Sequence, residues 1–117
     1  NVMMAMGETF VVICLESIQD EAELKLLKDT FAKTNKEIID ISQAQVLAFA
    51  GNMLQVRNKE GKTFLVMSEQ AYNSLTPEQI QQIESHTDIL YSPIPTIETY
   101  GGGSARCMMA EVFLKPK

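Results

Sequence analysis

Gly101, Gly102 and Gly103, followed by Ser104, Ala105, Arg106 and Cys107, are the residues of this chain whose types and order can do chemistry. Glycine tolerates backbone conformations and close approaches that other residues forbid, so a substrate carbon can come near the main chain here. The cysteine thiolate is a nucleophile, and an adjacent arginine favours it over the thiol. A second reading stands beside this one. Free cysteines are commonly small buried hydrophobes, and the segment then is a flexible loop leading into a core residue. Residue types alone leave both open.

The other reactive types carry less. His86 is the single histidine and follows the end of an expected helix, where an imidazole meets the helix dipole favourably; a surface or capping role is expected of it. Arg106 has two partners to choose from, a substrate carboxylate or a neighbouring one. The seven methionines fall in expected strands, so packing accounts for them better than a thioether site does. Asp20, Glu21 and Glu23 make a solvated helix start. Cys14 and Cys107 lie far apart without a CxxC spacing, which suits neither a disulfide framework nor zinc, and no metal or cofactor is expected. Free thiols point to a reducing compartment, most simply the cytoplasm.

Composition narrows the classes. The chain has 117 residues, 45% of them hydrophobic and 21% charged, as in a globular domain. A formal charge of −5 leaves no basic stripe to neutralise phosphates, so no nucleic-acid partner is expected. It suits a cationic substrate weakly. No apolar run approaches the ~18 residues of a membrane helix, and no basic-then-apolar leader opens the sequence.

The elements that must position the glycine segment form a repeat of about 50 residues, at a period where stacked units are expected. Residues 1–41 read as ββαβ. A strand over 1–6 turns at Gly7, which is expected to supply a positive φ, into a buried strand over 9–15. A helix over 21–33 starts at Asp20 and Glu23 in a box-like pair, with Leu24, Leu27 and Phe31 as its apolar stripe. A short strand over 36–41 closes the unit. Residues 42–51 are a linking turn, capped by Ser42 and Gln45 and ended by Gly51. Residues 52–92 repeat the pattern: strands over 52–58 and 63–68, a helix from Pro77 to 85, and a strand over 87–91. Thr76, Pro77 and Gln79 specify that helix start, with Leu75 and Ile80 as a staple. In residues 93–117 two prolines interrupt regular structure, the glycine loop follows, and 107–114 read as a closing apolar strand.

The segment from Gly101 to Met108 resembles the nucleophile segment of the arginine deiminase and amidinotransferase superfamily, the penteins. The resemblance implies an α/β fold of five ββαβ modules around a pseudo-fivefold axis, of which this chain would supply two. It implies Cys107 as the catalytic nucleophile of a hydrolase or an amidinotransferase, attacking the central carbon of a guanidino or ureido group on an arginine- or citrulline-like substrate. Asn1-Val2-Met3-Met4, Phe49-Ala50-Gly51-Asn52-Met53 and Pro95-Thr96-Ile97-Glu98 further resemble a bacterial amidinotransferase-like branch that includes citrulline hydrolases. By the same resemblance Asn1, Asn52, Gly103 and Arg106 are substrate-binding candidates, with a plain turn role as the alternative for Asn52.

Superfamily members pair the cysteine with a histidine in a His-x-Asp or His-x-Asn segment and with an upstream acidic residue. Asn1 falls where the third residue of that segment would stand. The expectation is therefore a C-terminal piece of a longer enzyme, lacking its general acid, whose proton transfer is commonly worth about 10²–10⁴-fold. Alone it should be inactive, and open strand edges should make it associate with the missing N-terminal modules or with itself. The rival is a non-catalytic scaffold of the same fold with Cys107 packed in the core.

Overall fold

The structure is a computed structural model and describes residues 3–115. Two three-stranded sheets organise it. In the first, β1 (Met4–Met6) pairs antiparallel with β2 (Phe10–Ile13), and β2 pairs parallel with β3 (Glu37–Asp40). The parallel pairing needs a crossover, which α1 (Glu21–Lys33) provides. In the second, β4 (Leu54–Arg57) pairs antiparallel with β5 (Thr63–Ser68), and β5 pairs parallel with β6 (Asp88–Ser92). Here two helices make the crossover, α3 (Glu69–Ser74) and α4 (Pro77–Glu84), so the second unit is ββααβ rather than the expected ββαβ. The extra helix starts because Ser68, closing β5, accepts the Ala71 N–H.

The sheets share one core. All four residues of β2 are buried, and strand alternation divides them between two faces. Phe10 and Val12, with Cys14 beyond the strand, face a cluster that includes Leu65 and Met67 of β5, Ala71 of α3 and Ile83 of α4. Val11 and Ile13 face the other way onto Phe31 of α1, with half-buried Leu27 beside it. The stripe expected of α1 is thus present, and burying Phe31 contributes about 1.5–3 kcal/mol. Asp20 caps α1 by accepting from the Ala22 and Glu23 N–H groups.

Helix starts also join the two units. α2 (Gln43–Leu47) and α4 both open with full capping boxes, Ser42 with Gln45 and Thr76 with Gln79. The two box glutamines then meet: Gln45 Nε2 donates to Gln79 Oε1 at 2.6 Å, and Gln79 Nε2 donates to the Asp40 carbonyl at 2.7 Å. His86 is a second tie. Its ring lies 2.8 Å from Thr9 Oγ1 through Nδ1 and 2.5 Å from Glu37 Oε2 through Nε2, so the imidazole bridges the units instead of capping its own helix.

Several local expectations are corrected. Gly7 has no positive φ; its hydrogen must stay small because a Cβ there would lie 2.3 Å from the Phe10 ring. Gly51 does not end α2. Phe49 takes the left-handed position at φ 68°, while the Phe49 and Ala50 N–H groups return to Val46 and Gln45 carbonyls in a Schellman arrangement. Pro93 and Pro95 do not merely interrupt: Pro95 opens α5 (Pro95–Gly101), because its fixed φ suits a first helical position and its missing N–H costs nothing there. The largest departure is the closing strand. Arg106–Met108 form a 3₁₀ turn, and residues 109–115 belong to no strand. Strand-forming side chains need a paired neighbour strand; this segment pairs with neither sheet, and Val112, Phe113 and Leu114 remain exposed. No helix among the described residues is long and apolar enough to cross a membrane.

Candidate active site

α5 ends at Gly101, and Gly102 takes the left-handed cap at φ 68°, turning the chain back towards the start of β4. Ser104 and Ala105 are buried after this turn, and the short 3₁₀ helix brings Cys107 back to the surface. Its N–H donates to the Ser104 carbonyl at 3.1 Å. A Cβ on Gly103 would stand 3.0 Å from Cys107 Sγ and 3.1 Å from its Cβ. Glycine at 103 is therefore a matter of room beside the sulfur.

From the other side comes Asn52, held 1% exposed between α2 and β4. Its Oδ1 accepts the Arg106 N–H at 3.1 Å, which fixes the amide's orientation, because only the oxygen can accept. Nδ2 must then face the thiol, and it donates to Cys107 Sγ at 3.1 Å. One asparagine thus positions both the residue before the cysteine and the sulfur itself. Arg106 turns back: its Nη1 donates to the Met53 carbonyl at 3.4 Å, and among the described residues it joins no ion pair.

The surroundings hold the Cys107 thiol below its ordinary pKa. The Asn52 amide is the largest cause, followed by the Ser104 backbone; partial desolvation opposes them, and the Arg106 charge adds to the lowering. A lowered pKa on an exposed cysteine is the pattern of a reactive thiol. Cys107 is exposed, so the reading of it as a packed core cysteine does not describe its position.

Of the residues singled out from the sequence, Cys107, Asn52, Gly103 and Arg106 come together, while Asn1 lies outside the described residues. Two members of the assembly are not among them. Glu98 on α5 is 6% exposed, and its Oε1 accepts the hydroxyl of wholly buried Ser104 at 2.6 Å. Glu98 stands inside a segment that carries the resemblance, and Ser104 inside the glycine loop, but nothing in the spacing shows that they meet. His86 is elsewhere, engaged with Thr9 and Glu37. Among the described residues no group of three or more His, Cys, Asp and Glu is placed to hold a metal ion.

Two sheets of mixed pairing, each with a helical crossover, make this an α/β protein that carries an exposed thiol supported by an amide donor. Residues 1–114 match the family model described as N,N dimethylarginine dimethylhydrolase, eukaryotic, and the chain belongs to that family. Neither the curated proteins nor the solved structures contain a match.

Proposed function

We propose that this chain carries the nucleophile-bearing part of a hydrolase that acts on the central carbon of a guanidino or ureido amino acid. The observation that carries the reading is the exposed Cys107 sulfur, 3.1 Å from the Asn52 amide and held below the ordinary thiol pKa. Family membership supports it from a separate direction, since the family is one of guanidino-substrate hydrolases.

The chemistry runs in two stages. The Cys107 thiolate adds to the electrophilic carbon and forms a C–S bond, giving a tetrahedral adduct. A C–N bond then breaks as a general acid protonates the departing amine or ammonia, leaving a thiouronium-type intermediate. Water adds to that intermediate, and the sulfur leaves as thiolate. A guanidino substrate so treated becomes a ureido product. The Asn52 amide and Arg106 favour the thiolate at both ends of the cycle.

The superfamily resemblance implies a histidine as the acid, and the single histidine here is engaged with Thr9 and Glu37, so we infer that the acid comes from another part of the enzyme. We place the chain as two units of a larger ring, completed by further modules or by association with a second copy. Both free thiols suit a reducing compartment such as the cytoplasm. Residues 49–53 and 95–98 favour the citrulline-hydrolase branch within the superfamily, with dimethylarginine the substrate named by the matched family.

The test uses the chain joined to its preceding modules, with and without Cys107→Ala. Dimethylarginine, arginine, agmatine and citrulline are each supplied, and ammonia, dimethylamine and the ureido or amino product are quantified. Turnover that disappears with Cys107 establishes the class and names the substrate. Turnover that survives Cys107→Ala would sink the reading, and no release from any of the four points to a scaffold that kept the fold.

A further inference from the structure

Glu98 is a carboxylate placed where carboxylates are costly to keep. It sits on α5 at 6% exposure, and its partner is the hydroxyl of a serine that is itself 0% exposed. Burying a charge is unfavourable unless strong hydrogen bonds compensate, and an O–H donor at 2.6 Å is of the strong, charge-assisted kind. A surface glutamate would serve helix α5 equally well as a helix former. The buried one does something else: it ties the body of the helix to residue 104, across the Gly102-Gly103 link.

Ser104 is the residue through which that tie reaches the sulfur. Its carbonyl accepts the Cys107 N–H at 3.1 Å, and its own backbone is the second-largest influence stabilising the thiolate. Gly103, next to it, packs directly against the sulfur. Gly102 and Gly103 lack the side chains that would restrict this link, so without an anchor the Ser104 backbone is freer to shift relative to the thiol. Among the described residues, Glu98 is the one side chain that holds the Ser104 hydroxyl from outside the loop.

We propose that Glu98 is a positioning residue for the reaction: by accepting the Ser104 hydroxyl it holds the Gly103–Ser104 backbone against the Cys107 sulfur. It rests on the reading of Cys107 as nucleophile. Glu98 acts through Ser104 and takes no part in bond making or proton transfer.

The charge of Glu98 gives the test its direction. Removing a negative charge near a thiol, taken alone, eases its ionisation and lowers its pKa. Loss of positioning does the opposite, because the Ser104 backbone no longer favours the thiolate. The measurement is the pH profile of Cys107 alkylation by iodoacetamide, with the modified site identified by mass spectrometry. Glu98→Ala is expected to raise the midpoint and to slow labelling at neutral pH about tenfold. Glu98→Gln keeps an acceptor for the hydroxyl and should remain within about twofold of the unaltered protein.

An unchanged midpoint in Glu98→Ala, with only a lowered melting temperature, overturns the proposal and leaves Glu98 a structural residue. So does a Glu98→Gln variant as slow as Glu98→Ala. If Glu98→Ala does not fold, Glu98→Gln combined with Ser104→Ala removes the same bond without leaving a buried charge unpaired, and must show the same rise. Failure of the nucleophile reading looks different: Cys107 of the unaltered protein would then titrate at the ordinary thiol value, and both ideas fall together.

Discussion

The molecule contains two cysteines in opposite situations, and the contrast shows what makes a thiol a reagent. Cys14 follows β2 and is wholly buried in the shared core among Phe10, Val12 and Ile39. Its backbone is busy, donating to the Met3 carbonyl at 3.1 Å and accepting the Ser17 hydroxyl at 2.6 Å. Its sulfur has Glu16 Oε1 as a polar neighbour, at 4.0 Å. Cys107 has the reverse arrangement: access to solvent, an amide donor on the sulfur and a cationic neighbour. The same side chain is packing material in one place and a candidate nucleophile in the other. The difference lies in donors and access.

The comparison breaks most directly on a labelling ratio. Iodoacetamide at neutral pH should modify Cys107 faster than Cys14 by about 10²-fold or more, since one thiol is accessible and thiolate-favoured and the other must wait for local opening. Site-resolved mass spectrometry over a time course reads both rates in one sample. Comparable rates would remove the basis for treating Cys107 as special.

Asn52→Ala should carry the next-largest effect, because it deletes the main cause of the lowered thiol pKa. The folded-state pKa then moves up towards the ordinary value, so the thiolate fraction at any pH below that value falls. Labelling of Cys107 at neutral pH should slow about tenfold. High pH should restore the rate, because the slower labelling acts through thiol ionisation. The Arg106 N–H also loses its shorter acceptor and keeps the Asn52 backbone carbonyl at 3.5 Å, at a stability cost of about 1 kcal/mol. A pH profile with an unmoved midpoint would mean that Asn52 only builds the turn.

Gly103→Ala tests the same contrast by crowding. The new methyl would sit 3.0 Å from the sulfur, tighter than ordinary van der Waals contact, so the sulfur must give by a few tenths of an ångström, and its bond from Asn52 is expected to weaken. Labelling should slow about three- to tenfold with a raised midpoint, by the donor loss argued above. Unchanged kinetics would show that the loop yields before the thiol does.

What can be read from the sequence follows how local each feature is. The starts of α2 and α4 are legible because capping is decided within four residues: Ser42 with Gln45, Thr76 and Pro77 with Gln79. The stripe of α1 and the repeated order of strands are legible from periodicity. Helix α5 is hidden because Pro93 and Pro95 weigh as breakers, although a proline at the first position followed six residues later by glycine also describes a short capped helix. The strand expected over 107–114 fails because strand propensity states only that a segment fits a sheet, and this segment pairs with neither of the two sheets. At the site, the glycine run and Cys107 announce themselves by composition. The bonds from Asn52, 55 residues away, and from Ser104 to Glu98 are products of tertiary packing, which no local pattern encodes.

The smallest expected effect is the control that makes the contrast sharp. Cys14→Ala removes a buried sulfur from the shared core and leaves a small cavity, at a cost of about 1–2 kcal/mol on the reasoning that applies to deleted core atoms. Among the described residues no hydrogen bond connects Cys14 to Asn52, Ser104 or Arg106, so the rate and the pH midpoint of Cys107 labelling should not move. Thermal unfolding and the alkylation profile, measured on the same preparation, separate the two quantities. A lower melting temperature with unchanged Cys107 chemistry means that the core bears stability while the Asn52–Cys107 contact bears reactivity. A shifted Cys107 midpoint would instead mean that the core transmits to the loop, and the division between the two cysteines would have to be redrawn through Met53, which packs in the core beside Asn52 and offers Arg106 its carbonyl.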